Sequence, residues 1–296
     1  MRNGGITMKG KTIGFIGFGL IGGDIARCIR KNAEDTRIIA YNNRYPQVKP
    51  GLAMALEDEV LNALEPDFNG AFRECDIIFL CAPVIVNIQY LRQLKDIMKP
   101  GCILTDVGSV KGNIHKAVEE IGLTHNFIGG HPMAGTEKTG YENSNDHMLN
   151  NAFYLLTPTK DTPPSAIETM KEITAMCGSK TMVLTPEEHD IAAAAISHVP
   201  HILSYSLVNT VHDHDNEQQY MKQFAAGGFR DMTRIAASSP EMWQNIVLAN
   251  KTAVLTFLSQ YQVVLEEFKQ MLIMGDEEGL LEFFQRSKEY RDTFTF

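Results

Sequence analysis

Apolar and polar positions follow two different patterns along this chain. Over the first 186 residues, short apolar runs rich in β-branched side chains predict strands at Thr12–Ile16, Arg37–Tyr41, Ile77–Cys81, Cys102–Asp106, Phe127–Gly129, Phe153–Leu156 and Thr181–Leu184. Helix-like segments such as Ile21–Arg30, Val84–Met98, Ile114–Ile121 and Ala166–Met176 separate most of them. Strands that are apolar almost throughout and spaced by helices imply a mainly parallel sheet covered on both faces. Turn chemistry punctuates the alternation: Lys99-Pro100-Gly101 ends one helix and Asp161-Thr162-Pro163-Pro164 opens another.

After Thr185-Pro186 only helical periodicity remains. From Pro240 to Met274 apolar residues recur at Trp243, Ile246, Val247, Val254, Leu255, Leu258, Val264, Leu265, Phe268 and Leu272, with Ser239 placed as an N-cap and Pro240 at the first helical position. One helix of that length would run ~50 Å at 1.5 Å per residue, so it is expected to break or to pack against a second copy of the chain. The expected division is an α/β domain over residues 1–186 and an all-helical domain over 187–296.

Composition narrows the options. The chain has 296 residues, of which 44% are hydrophobic and 21% charged, which excludes collagen, long coiled coil and wholesale disorder. A chain of this size buries roughly 75% of its unfolded surface and needs no metal or disulfide to hold together. The net charge of −9, with no basic block, argues against nucleic acid as a partner. It leaves room for a local basic pocket that holds a small anion. No apolar run approaches the ~18 residues of a spanning helix, so no membrane segment is expected. The five cysteines, Cys28, Cys75, Cys81, Cys102 and Cys177, are scattered without a C-x-x-C pair and read as reduced, buried thiols. Residues Met1 to Met8 lack a charged-then-apolar signal pattern and read as a loose leader, with Met8 as an alternative start. The expected location is the cytoplasm.

Chemistry first surfaces at Gly17, Gly19 and Gly22, which form G-x-G-x-x-G directly after an apolar strand and at the opening of a helix. In that context the first glycine permits the tight turn, the second lets a pyrophosphate approach the backbone, and the third lets helix and strand pack closely. The N–H groups that open the helix at Leu20 and Ile21 then face the phosphates. The fold class is therefore α/β: a Rossmann-type, mainly parallel sheet domain followed by an all-helical C-terminal dimerisation domain. An NAD site usually carries Asp or Glu about 20 residues further on, against the ribose. Here the second strand ends in Ala40-Tyr41-Asn42-Asn43-Arg44, with Asn42 in place of the acid and Arg44 suited to a 2′-phosphate. The expected cofactor is NADP in preference to NAD.

Further motifs stand at strand ends: Cys81-Ala82-Pro83-Val84, Thr105-Asp106-Val107-Gly108-Ser109-Val110-Lys111, and Gly129-Gly130-His131-Pro132-Met133-Ala134-Gly135-Thr136-Glu137. Open parallel sheets bind ligands beyond the carboxyl ends of their strands, which places Ala82, Pro83 and Asp106 beside the cofactor. In the helical part stand Ser197-His198-Val199-Pro200-His201 and Gly227-Gly228-Phe229-Arg230-Asp231-Met232-Thr233-Arg234-Ile235-Ala236.

Taken in this order, from about Lys11 to beyond Trp243, the set resembles the prephenate/arogenate dehydrogenase family of tyrosine biosynthesis. The resemblance implies oxidation and decarboxylation of a cyclohexadienol, with hydride passed to NAD or NADP and a phenol left behind. Neither the chorismate mutase domain nor the amino-acid-binding regulatory domain that some members carry is expected. His131 matches the family's catalytic histidine; a neutral imidazole that takes the ring hydroxyl's proton is worth ~10²–10⁴-fold. Ser109 would hydrogen-bond the same hydroxyl. Arg234 matches the carboxylate-binding arginine, able to make a two-point, charge-assisted contact, and His201 matches a second substrate-contacting histidine. Gly135 and Thr136 extend the substrate-binding set.

Prephenate and arogenate differ by a keto group against an ammonium group. Asp190 is a candidate to pair with such an amine, so both substrates stay open. A β-hydroxyacid-type reductase is a further alternative, but it relies on a helical-domain lysine, for which only Lys222 and Lys251 stand near. A non-catalytic NADP sensor would leave His131, Ser109 and Arg234 unexplained. His212-Asp213-His214-Asp215 reads as a solvated interhelical loop, and no metal is expected.

Overall fold

The computed structural model describes residues 8–136 and 138–295. The chain divides into two compact units, one of Met1–Ala193 with Ala237–Asn250 and one of Ala194–Ala236 with Lys251–Phe296. This division by packing differs from the single boundary expected after residue 186. Residues 187–193 and 237–250 join the sheet unit, for reasons that lie in the side chains of Asp190 and Asn250.

The first unit is built on one eight-stranded sheet: β1 (Thr12–Ile16), β2 (Arg37–Tyr41), β3 (Ala63–Glu65), β4 (Ile77–Leu80), β5 (Ile103–Asp106), β6 (Phe127–Pro132), β7 (Phe153–Pro158) and β8 (Lys180–Val183). Their order across the sheet is β3-β2-β1-β4-β5-β6-β7-β8. Neighbours run parallel except β6 and β7, where His131 faces Leu155 in an antiparallel pair. The interleaved helices are α1 (Leu20–Asn32), α2 (Pro50–Glu57), α3 (Val84–Lys95), α4 (Gly112–Ile121), α5 (Pro164–Met176) and α6 (Pro186–Ala193). The edge strand β3 and the helix α2 were not among the predicted elements.

Alternation along the central strands makes two cores. Ile13, Phe15, Ile77 and Phe79 share one face with Ile25 and Ile29 of α1 and Met170 and Ile173 of α5. Ile16, Ile78 and Leu80 share the other with Leu91 and Leu94 of α3 and Ile114 and Val118 of α4. Each fully buried side chain of this size contributes ~1.5–3 kcal/mol of transfer free energy, so both faces resist exposure. Met8 belongs to the first core rather than to a leader: it is buried, and its carbonyl accepts from Lys11 N and Thr36 Oγ1. The rest of the expected leader lies outside the described residues.

The second unit holds α7 (Val199–His214), α8 (Tyr220–Phe224), α9 (Gly227–Thr233), α11 (Lys251–Met274) and α12 (Glu277–Arg291). Ala194, Val199 and Val254 are buried together, with Ile202, Leu203 and Phe257 packed against them. Phe268 of α11 meets Phe283 and Phe284 of α12. His212 and His214 form the last exposed turn of α7 rather than a loop. The expected long helix does break, at Asn250, between α10 (Pro240–Ala249) and α11; Ser239 Oγ caps α10 by accepting from Met242 N. Asn250 Nδ2 donates to the carbonyl of Asp190, which ties the end of α10 to α6.

One helical run, Pro186–His214, is long and apolar enough by length and composition to cross a membrane, where none was expected. Its middle, Ala194–His198, is π-helical, a local under-winding often found at functional sites. The run also carries His189, Asp190, His198 and His201. Its apolar residues Ala194 and Val199 are those of the small core just described.

Candidate functional site

In the sheet, β1 leads to β2 and β3 on one side while β4, β5 and β6 lie on the other. That reversal is where open α/β sheets bind ligands, beyond the carboxyl ends of the strands. Gly17 stands there with φ +85°, and a Cβ on it would lie 2.5 Å from Ala82 N, because the turn after β4 packs directly on the turn after β1. A Cβ on Gly19, by contrast, would meet nothing within 4 Å. On Gly22 it would touch Cys81 Sγ at 3.4 Å, an ordinary contact. The turn thus has one glycine demanded by backbone geometry and one that leaves open space beside the first turn of α1, where Leu20 and Ile21 lie half-buried. This cradle fits a dinucleotide pyrophosphate.

Asn87 holds the second wall. Buried in the first turn of α3, it donates from Nδ2 to the carbonyls of Leu80 and Ala82 and accepts at Oδ1 from Ala82 N. It sets the path of Cys81-Ala82-Pro83, and its only sequence signal is an amide on the apolar side of a helix. Asn42 does similar work after β2: its Nδ2 donates to the carbonyl of Gln47 and its Oδ1 accepts from Arg44 N. Its amide is engaged in shaping the loop, and Arg44 is exposed on that loop.

Asp106 does not face a cofactor. Fully buried at the end of β5, its Oδ2 accepts from Lys111 Nζ (2.5 Å) and Gly108 N (2.9 Å), and its Oδ1 from Gly130 N (3.2 Å). Lys111, equally buried, also donates to the carbonyl of Gly130 at 2.7 Å. The pair knits the Val107–Lys111 turn to β6, so half-buried Ser109 and half-buried His131 ride on one fixed scaffold. The reading of Asp106 as a cofactor ligand is corrected: a carboxylate with these partners is a strut.

Two residues that no sequence motif links to the end of β6 stand behind His131. Its Nδ1 lies 2.8 Å from Nε2 of the buried His189, and His189 Nδ1 lies 2.8 Å from Asp190 Oδ1. Asp190 accepts in addition from Lys111 N and Gly112 N, both at 2.8 Å. Burial disfavours its ionised form, but the hydrogen bonds from His189, Lys111 and Gly112 outweigh that and hold the carboxyl below its usual range. Asp190 is therefore engaged within the sheet unit and is not presented to a substrate amine.

Gly135 and Thr136 are exposed beyond β6, and Thr136 Oγ1 accepts from Lys138 N. In the helical unit, His201 Nδ1 contacts the carbonyl of Ser197 at 2.8 Å. Burial, and to a lesser degree the charge of Arg234, lowers its pKa against the opposing hydrogen bond to Ser197. Arg234 opens a short 3-10 turn, Arg234–Ala237, and is exposed; Asp231 pairs with Arg230 and not with Arg234. A depression lined by Lys11, Asp76, Gly101 and His125 lies at the amino ends of the strands, remote from all the groups named in the sheet unit.

Comparison with known proteins agrees with this geometry. Residues 25–183 match the model for the prephenate dehydrogenase nucleotide-binding domain, and residues 185–286 the model for the prephenate dehydrogenase dimerization domain. The glycine turn precedes the first match, so it speaks independently of it. Prephenate dehydrogenase of Bacillus subtilis is 35% identical over 283 residues, which is 95% of this chain and 75% of that protein. The structure of A. aeolicus prephenate dehydrogenase with hydroxyphenyl propionate and NAD+ superposes with a TM-score of 0.87 at 30% identity, over 95% of this chain and 97% of that one. Synechocystis arogenate dehydrogenase gives 0.85 at 28%, over 96% and 100%. With a nucleotide cradle at the switch point and both halves matched, the chain is a dehydrogenase and belongs to the prephenate dehydrogenase family.

Proposed function

We propose that this chain converts prephenate to 4-hydroxyphenylpyruvate by oxidative decarboxylation, in tyrosine biosynthesis. The observation that carries this reading is the placement of His131 and Ser109 on adjoining strand ends of the sheet that bears the glycine turn. A nicotinamide cofactor, when bound, supplies the hydride acceptor. His131 accepts the proton of the ring hydroxyl, and Ser109 hydrogen-bonds that hydroxyl and orients it. The family resemblance assigns Arg234 and His201 to the substrate's carboxylates, and Gly135 and Thr136 to substrate binding. Loss of the ring carboxylate follows from aromatisation and needs no further acid.

Prephenate is favoured over arogenate because the acid read as an amine partner, Asp190, is already held by His189 and two backbone N–H groups. NADP is favoured over NAD because the loop after β2 offers exposed Arg44 and no carboxylate between Tyr41 and Arg44. Leu20, Ile21, Ala82 and Pro83 complete the proposed cofactor contacts. A homodimer through the helical unit is supported by the dimerization-domain match and by the exposure of Leu255, Leu265, Leu272, Ile273, Leu281 and Phe284. Five free cysteines support a reducing, cytoplasmic setting.

A spectrophotometric assay with both substrates and both cofactors tests the reading. Turnover of prephenate at least tenfold more efficient than of arogenate is expected; no turnover of either would refute it. His131→Asn should lower kcat by orders of magnitude with little change in KM.

A further inference from the structure

We propose that Asp190 and His189 are positioning residues that fix the orientation and tautomer of His131, making its Nε2 the proton acceptor. The inference rests on the functional reading above and adds to it two residues 58 and 59 positions away in sequence. Its argument is a chain of donors and acceptors. The Asp190 carboxylate can only accept, and three N–H groups already point at it. His189 must therefore donate from Nδ1, which leaves its Nε2 as a lone pair. That lone pair lies 2.8 Å from His131 Nδ1, so His131 in turn donates from Nδ1 and carries its own lone pair on Nε2. An imidazole in the other tautomer would present N–H to a hydroxyl whose proton it is meant to take.

The same carboxylate also places the second catalytic group. Its bonds from Lys111 N and Gly112 N fasten the end of the turn that carries Ser109, so one side chain sets the position of both residues acting on the hydroxyl. When that hydroxyl's O–H bond breaks, its proton forms an N–H bond at His131 Nε2, and the electron pair stays on the oxygen. The positive charge then arising on His131 is shared through the Nδ1–H bond with His189 and balanced by Asp190. Neighbouring titratable groups are Lys111, paired with Asp106 from β5, His115 of α4, which burial keeps uncharged near neutral pH, and Glu187 of α6. Of these, Lys111 is balanced by its own partner, which leaves Asp190 as the anion in hydrogen-bond contact with His189.

Two measurements test this. In the full-length protein with 15N-labelled histidine at pH 8, NMR should show the Nδ1–H tautomer on both His131 and His189. An Nε2–H tautomer at either ring overturns the proposal, and this readout needs neither a variant nor turnover. Loss of activity in the parent chain would fail the functional reading alone. Among variants, His189→Leu should lower kcat by about 30-fold or more with KM within threefold, while His189→Gln, whose carbonyl can still accept from Nδ1–H, should recover at least a third of parent kcat. Asp190→Asn should move the acid limb of the kcat–pH profile down by about one unit, since a nearby anion raises the basicity of the pair. A parent-like kcat and acid limb in His189→Leu would overturn the inference, as would equal losses in His189→Leu and His189→Gln.

Discussion

Lys111 donates from its ammonium to the carbonyl of Gly130, the residue just before His131, at 2.7 Å. The bond joins the turn bearing the candidate hydroxyl-binding serine to the strand bearing the candidate base, and Asp106 neutralises it from below. Both side chains are fully buried, so neither charge has water to fall back on.

Removing one partner should therefore cost more than the pair itself contributes. Lys111→Met leaves Asp106 as an uncompensated buried carboxylate, a loss of roughly 3–5 kcal/mol. In thermal melts this corresponds to a Tm on the order of 10 °C lower. The double variant Lys111→Met with Asp106→Leu should regain part of that loss, because contacting sites are not additive. A double variant no more stable than Lys111→Met alone would contradict the strut assignment.

How much of this was legible in the sequence depends on whether the physics is local. The glycine turn was readable because Gly17 and Gly19 act on their own backbone, next to a strand and a helix that announce themselves by periodicity. The N-cap at Ser239 was readable for the same reason. Strand β3 was not, since Ala63–Glu65 is a three-residue edge without an apolar alternation. Asp106 was misread because a carboxylate at a strand end looks like a ligand until Lys111, with its long apolar stem, is seen folding back on it. His189 gave no such signal: nothing around it in sequence points to His131, and only the sheet unit's tertiary packing brings the two rings together.

The buried Asp24 and the half-buried His115 give the sheet unit opposed pH dependences. Desolvation raises the Asp24 carboxyl to about 6 and lowers His115 to about 4. For Asp24 the folded protein holds its proton more tightly than the unfolded one, so stability is fully present below about pH 4 and falls as pH rises through 6. For His115 the folded protein holds its proton less tightly, so stability is full above about 6.5 and falls as pH drops through 4. The two slopes oppose one another between these limits. Asp24→Asn should raise stability at pH 7.5 by on the order of 1 kcal/mol after allowing for solvent screening, or about 2–4 °C in Tm, with the gain vanishing near pH 4. His115→Gln should instead gain on the parent as the pH is lowered from 7 to 4.5. Differential Tm curves that run parallel across this range would refute both assignments.

Cofactor choice turns on Arg44. If its guanidinium holds a 2′-phosphate, Arg44→Ala should raise KM for NADP by about tenfold, the worth of roughly 1.4 kcal/mol, and leave KM for NAD within twofold. Asn42 acts one step back, through the loop it braces, so Asn42→Ala should weaken both cofactors through disorder of residues 42–47. Unchanged NADP affinity in Arg44→Ala would end the case for an NADP preference.

The glycines of the turn separate folding from ligand binding within one motif. An alanine at 17 would have to adopt φ +85° and place its Cβ 2.5 Å from the backbone nitrogen of Ala82. Two backbone segments would need to part, so Gly17→Ala should lower Tm by several degrees and abolish cofactor binding together. Gly19 has φ −125°, a value open to any residue, and its Cβ would meet no protein atom within 4 Å. Gly19→Ala should fold with a Tm within about 2 °C of the parent, a change of under 1 kcal/mol, yet its methyl would stand where a pyrophosphate must approach the backbone. The expected signature is an intact melt with cofactor Kd raised at least tenfold by fluorescence titration. If Gly19→Ala bound cofactor as tightly as the parent, the open space beside α1 would not be the phosphate site, and the cradle would have to be sought elsewhere on the sheet.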